Sequence, residues 1–283
     1  MTSLKVRKSS CAGSFYPASP VQIVRMLDSL KAQVGPIHRR PHPPIVIVPH
    51  AGWVYSGLAA VKGVATLVDS APKRIVIIGP SHYHYFAGFS LGAYDKYETP
   101  LGQIDGDVDL QRDLSDATGF GFEEGAFIRE HSVEVIFPIL QHLLPPGFKI
   151  LPILSGGVAR NDTEKLVNGL AGLLDPFQDA MLVSTDLSHF FDYNQARLLD
   201  TQTLEYIIEG NTEALLQRSG EGGRLACGYN GVIVAIKLAQ RWELSNPELL
   251  IYYNSGDTGA GRDNVVGYAS LAWPPPNLPS DEV

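Results

Sequence analysis

Three apolar runs in this chain each lead into a short loop that carries a histidine, and that repetition constrains the fold more than any other feature. Ile45-Val46-Ile47-Val48 runs into Pro49-His50. Ile75-Val76-Ile77-Ile78 runs into Gly79-Pro80-Ser81-His82, and Met181-Leu182-Val183 into Ser184-Thr185-Asp186-Leu187-Ser188-His189. Short continuous aliphatic runs bounded by Gly or Pro are the pattern of parallel strands covered on both faces. Proline cannot donate to a strand ladder. Each histidine is therefore expected just past the C-terminal end of a strand, where open α/β sheets place their ligands.

Helical segments separate the runs. Ser56 reads as an N-cap for a helix over 57–68, and Ser19-Pro20 opens another that carries Val21, Val24, Leu27, Leu30 and Val34 at helical spacing. Further helices are predicted over 108–118, 162–174, 194–209, 212–218 and 229–241. One more is opened by Glu130, with Val133, Ile136, Phe137 and Leu140 as its apolar face and a kink at Pro138. Strands are expected over 149–154, 180–184 and 248–253, with 89–94 as an antiparallel edge and 265–273 closing the sheet. This alternation predicts one three-layer α/β domain over 1–273, with a mostly parallel central sheet flanked by helices. The proline-rich acidic tail 274–283 is expected to be disordered.

Composition narrows the partners. With 283 residues and 45% hydrophobic content the chain can bury a sizeable core. A net charge of −8 with only 22 Lys plus Arg argues against nucleic acid as the main partner. Arg39-Arg40, the densest basic spot, reads as a solvated connector. Two cysteines, Cys11 and Cys227, do not make a disulfide framework. No signal peptide and no apolar run long enough to span a membrane are visible, so a cytoplasmic protein is expected, without a membrane partner.

The chemistry gathers at the strand ends. His50 and His82 lie one βαβ step apart, and two imidazoles at one sheet edge begin a transition-metal site. Cys227 is a candidate third ligand, because it precedes a helix whose N-terminal dipole favours thiolate. His189 and Asp186 form a candidate acid–base pair, the carboxylate holding one imidazole tautomer. Glu130 and His131 can face the same site or merely begin a helix. Trp53, Tyr55, Tyr83 and Tyr85 flank the two histidines and can line a pocket for a small molecule or peptide, or pack as lids. A single loop histidine is usually only hydrogen-bonded; recurrence across three strands favours function. The glycine-rich stretch 256–261 does not match a nucleotide-binding fingerprint.

The ordered set Ala12-Gly13-Ser14-Phe15-Tyr16-Pro17, Val48-Pro49-His50-Ala51-Gly52-Trp53, Gly79-Pro80-Ser81-His82, Glu130-His131-Ser132-Val133-Glu134, Ser184-Thr185-Asp186-Leu187-Ser188-His189 and Cys227-Gly228 resembles the Memo family along nearly the whole chain. The resemblance implies a fold similar to the class III (LigB-type) extradiol dioxygenases, in which two histidines and a carboxylate hold iron(II). It also implies His50, His82 and Cys227 as the metal ligands. A thiolate in place of the carboxylate shifts preference towards softer ions such as copper(I) or zinc, while the resemblance implies a redox-linked metal, iron or copper, with zinc as a further choice. Eukaryotic members act in cell-motility signalling, which implies protein partners.

Two functions from different classes follow. The first is a metal-dependent oxidoreductase that activates oxygen or a small redox substrate. The alternative is a protein- or peptide-binding module that uses the aromatic-lined cleft without catalysis. A cysteine hydrolase built on Cys227 has no supporting signature.

Overall fold

Alternation along the central strands builds the molecule. In the computed structural model, which describes residues 4–37, 42–69, 71–220 and 225–275, Val46 and Val48 face one hydrophobic core while Ile45 and Ile47 face a second on the other side of the sheet. The neighbouring strands divide in the same way: Ile75, Ile77 and Leu182 go to the first core and Val76, Ile78 and Val183 to the second. Successive side chains on a strand point to opposite faces, so a run with no polar residue demands helices on both sides.

Eleven strands are found among the described residues: β1 (Val6–Arg7), β2 (Ile45–Val48), β3 (Arg74–Pro80), β4 (Phe89–Leu91), β5 (Lys96–Thr99), β6 (Gly102–Gly106), β7 (Lys149–Ser155), β8 (Asp179–Ser184), β9 (His189–Phe191), β10 (Glu248–Asn254) and β11 (Val265–Trp273). Their order is β1-β5-β6-β7-β3-β8-β2-β11-β10, with β4 added on β7 and β9 on β11. The stretch β6-β7-β3-β8-β2 is parallel throughout. Antiparallel strands extend it on both flanks. β11 lies inside the sheet between β2 and β10, so β10 forms the edge that the sequence reading gave to β11.

The helices are α1 (Pro20–Val34), α2 (Trp53–Ala65), α3 (Val108–Thr118), the short α4 (Glu124–Phe127), α5 (Phe137–Leu143), α6 (Arg160–Leu173), α7 (Tyr193–Ile208), α8 (Thr212–Gly220) and α9 (Tyr229–Arg241). α1, α2 and α5 pack together on one face, and α3, α6 and α9 on the other. Two expected boundaries move. α2 begins at Trp53, with Gly52 at its cap, and the Ser56 hydroxyl inside it donates to the Ala51 carbonyl. Pro138 sits in the first turn of α5, where its missing N–H costs nothing, so it starts a helix and does not kink one. Glu130 and His131 belong to the loop before it. None of the described helices is long and apolar enough to cross a membrane. The Arg39-Arg40 spot and residues 276–283 of the expected tail lie outside the described residues.

Candidate metal centre

β2, β3 and β8 end side by side, with β8 in the middle. That order sets the site, because β8 delivers Ser184 between the loops that carry His50 and His82. The two rings stand edge to face with centroids 5.3 Å apart. His131 arrives from the loop before α5 and stacks on His82 at 4.5 Å. One ligand atom from each of His50, His82 and His131 lies within 4.8 Å of the others.

Hydrogen bonds fix the tautomers of two of the rings. His82 Nδ1 lies 2.8 Å from Glu130 Oε1. A carboxylate only accepts, so Nδ1 carries the proton and Nε2 keeps its lone pair. His50 Nδ1 lies 2.8 Å from Ser184 Oγ, whose own proton is committed to the Ser132 carbonyl. His50 Nδ1 is thus also the donor, and its Nε2 lone pair faces the Cys227 sulfur at 3.2 Å. His131 Nδ1 is buried without a hydrogen bond; it sits 3.4 Å from Glu130 Oε1, within ion-pair range but without bonding geometry.

Burial sets the charge states. It is the main cause that pushes His50 down to about 3 and His131 down to about 4, with neighbouring imidazoles adding to it. Both rings are therefore neutral, the form that binds metals. Burial alone would raise Glu130, but the hydrogen bonds and charge of His82 and the Ser132 amide hold it at about 2. Cys227 moves against the sequence expectation: burial, then the Asp186 charge, push its thiol up to about 12, overriding the helix terminus. A neutral thiol beside a neutral imidazole is the reverse of an activated cysteine nucleophile. A cation at the sulfur would invert that order. The donor set, neutral nitrogens plus a thiol with one orphaned ring nitrogen, fits a transition-metal ion.

Asp186 does not hydrogen-bond His189. Its Oδ1 accepts from the amides of His50 at 2.8 Å and Ala51 at 3.3 Å, and so fixes the His50 loop. Burial raises its pKa, while the charge of nearby His189 opposes the rise. His189 itself lies on the half-exposed strand β9. Phe190 is the extra residue of a bulge there, at φ 65°. Bulges of this kind re-aim neighbouring side chains. Tyr55 is 42% exposed, whereas Trp53 is buried, stacked on Tyr16 and donating to the Val135 carbonyl, so it belongs to the core and not to a pocket wall.

The early aromatic turn is tied over the site by Glu134. That buried carboxylate accepts from the Ser10 and Cys11 amides, the Tyr16 hydroxyl and Arg7. The tie places Phe15 on the outer face of His131, centroids 4.2 Å apart. Neither the Glu134 clasp nor the Ser184 contact was anticipated from sequence. Glu134, the one charged residue in the otherwise mostly apolar stretch 132–140, was the available hint.

A family model described as Memo-like protein matches residues 7–272. A MEMO1 family protein of Methanobrevibacter smithii is 32% identical over 94% of this chain and 98% of its own length. Another from Sulfolobus acidocaldarius is 30% identical over 95% and 99%. Among solved structures, an uncharacterized protein from Escherichia coli K12 shares the fold at a TM-score of 0.50 and 16% identity, over 81% of this chain and 99% of that one.

Proposed function

This chain belongs to the Memo-like protein family, and on that premise we propose that it is a metal-dependent oxidoreductase whose centre is built from His50, His82, His131 and Cys227. The carrying observation is the convergence of three imidazoles within 4.8 Å at one sheet edge. The fixed Nδ1 protons of His50 and His82 support the same reading, since they leave both Nε2 atoms as donors. Iron or copper suits the mixed nitrogen and sulfur set. A bound redox-active ion would supply the electron-transfer chemistry. The chain's own part is to hold the rings through Glu130 and Ser184 and to shelter one side with Phe15. His189, half-exposed and near Asp186, is the group placed to move a proton.

The test is metal content by elemental analysis after anaerobic loading. Wild type should hold about one ion per chain. His50→Ala and His82→Ala should lose it while keeping the fold, since the ligands sit on loops. His189→Ala should keep the metal. Stoichiometric metal in both the His50→Ala and His82→Ala variants would refute the centre.

A further inference from the structure

A cavity of about 480 Å³ opens at the opposite end of the sheet from the candidate centre. Arg74, Lys149 and Asp179 line it, and these are the first residues of β3, β7 and β8. The start of α3 forms a further wall through Asp107, Asp109, Leu110 and Asp113. Five aspartates border the cavity against three basic side chains, and two of those aspartates are already engaged. Asp179 accepts from Arg74 on both oxygens, at 2.9 and 2.5 Å. Asp175 accepts from the Phe177 amide and the Gln178 carboxamide. Lys73 donates to Gln178 Oε1, and the exposed Lys149 can extend its long stem into water. That leaves the three carboxylates at the start of α3.

Asp107 points to a ligand. It is only 5% exposed. Its Oδ1 caps α3 by accepting from the Leu110 amide at 3.2 Å, but its Oδ2 is buried and bonds to none of the described residues. Buried carboxylate oxygens are normally partnered. The cap bond turns the carboxyl group over the first turn of α3, where Leu110 also lines the cavity. Its charge reaches Arg74 on the neighbouring wall, whose pKa is raised chiefly by the bonds to Asp179, with Asp107 adding to them. Asp109 and Asp113 repeat the charge on one helix face, and like charges four residues apart destabilise a helix. Arg112 reaches both at 3.3 Å, but all three side chains are exposed and the contact is weak. Among the described residues no three of these carboxylates bring oxygens within 4.8 Å of one another, so they do not form a ready cage for a metal ion. Carboxylates spread along a wall suit a ligand whose positive charges are themselves spaced, and a net charge of −8 draws such a polycation in.

We propose that this cavity binds a linear aliphatic diamine, one ammonium donating to the buried Asp107 carboxylate and the other held by Asp109 and Asp113, with the methylene chain against Leu110. The site stands apart from the metal centre and does not depend on it. The probes are putrescine and, as the single-charge control, butylamine, titrated into isotope-labelled full-length protein at physiological ionic strength and followed by NMR. Putrescine should shift the backbone amides of Asp107 to Asp113. Butylamine should bind roughly tenfold more weakly, and Asp107→Asn should weaken putrescine by a similar factor, as expected for loss of a charge-assisted hydrogen bond. Asn caps a helix as well as Asp does, so this variant keeps α3. Should it nevertheless fail to fold, Asp113→Asn, at an exposed position, decides in its place and should weaken putrescine severalfold. Shifts spread over the acidic surface at large, equal binding of butylamine, or undiminished affinity in the deciding variant would overturn the site.

Discussion

Glu130 accepts from the His82 amide at 2.6 Å, the His82 ring at 2.8 Å and the Ser132 amide at 3.0 Å, so one fully buried carboxylate sets both the loop and the imidazole orientation. Carboxylates behind metal-binding histidines typically contribute 10- to 100-fold in affinity. Glu130→Gln keeps the shape but removes the charge, and its amide can present a donor to Nδ1, favouring the wrong tautomer. Metal affinity should therefore fall by roughly that factor with little change in secondary structure. Competition against a chromophoric chelator measures it, and an affinity equal to wild type would show that Glu130 is a bystander. From sequence, Glu130 beside His131 looked as much like a helix start as a ligand support. The two readings differ only in which loop faces it, and that is a long-range fact.

At the scale of elements, the site depends on how closely α9 presses on the end of β8. A Cβ built on Gly228 would lie 2.6 Å from the Ser184 carbonyl oxygen and 2.7 Å from Thr185 Cβ. These are backbone and near-backbone atoms that cannot swing aside. The same approach lets the Gly228 amide donate to Thr185 Oγ1 at 2.8 Å and the Asp186 amide reach the Cys227 sulfur at 3.2 Å. Gly228→Ala should push α9 away from β8, at a cost of about 1–3 kcal/mol of overpacking, and carry Cys227 away from His50. Thermal denaturation and thiol-alkylation rate should both report it: a lower Tm and faster labelling of Cys227. A variant with wild-type Tm and labelling would mean that α9 tolerates the shift.

For the whole molecule, buried neutral histidines make stability depend on pH. His50 and His131 are held down at about 3 and 4, against about 6.5 in an unfolded chain. Below that value the unfolded chain takes up protons that the folded one refuses, so this contribution is present above pH 6.5 and lost as pH falls towards 3. Glu130, held at about 2, adds a loss of the same sign below about 4.5. Burial raises Asp186 and Asp200, which works in the opposite direction. Comparison with variants isolates the imidazoles: metal-free wild type should lose stability between pH 6.5 and 4 more steeply than His50→Gln or His131→Gln. Denaturant titrations across that range give the slopes, and parallel slopes would exclude the two histidines as the cause.

The sequence by itself determined the three-layer α/β architecture, because uninterrupted aliphatic runs such as Ile45–Val48 and Ile75–Ile78 can only be covered by helices on both faces. It also determined that His50 and His82 would share one sheet edge, since parallel strands joined by a helix end on the same side. Only the tertiary structure decided that β8 would lie between their strands and that His131 would stack on His82. It alone decided that desolvation and the Asp186 charge would keep the half-buried Cys227 thiol neutral, and that Asp186 would hold the His50 loop and not the His189 ring. Local pattern fixes which face of the chain is apolar, whereas strand order, loop approach and desolvation arise from contacts between residues far apart in the chain. No short-range signal encodes those.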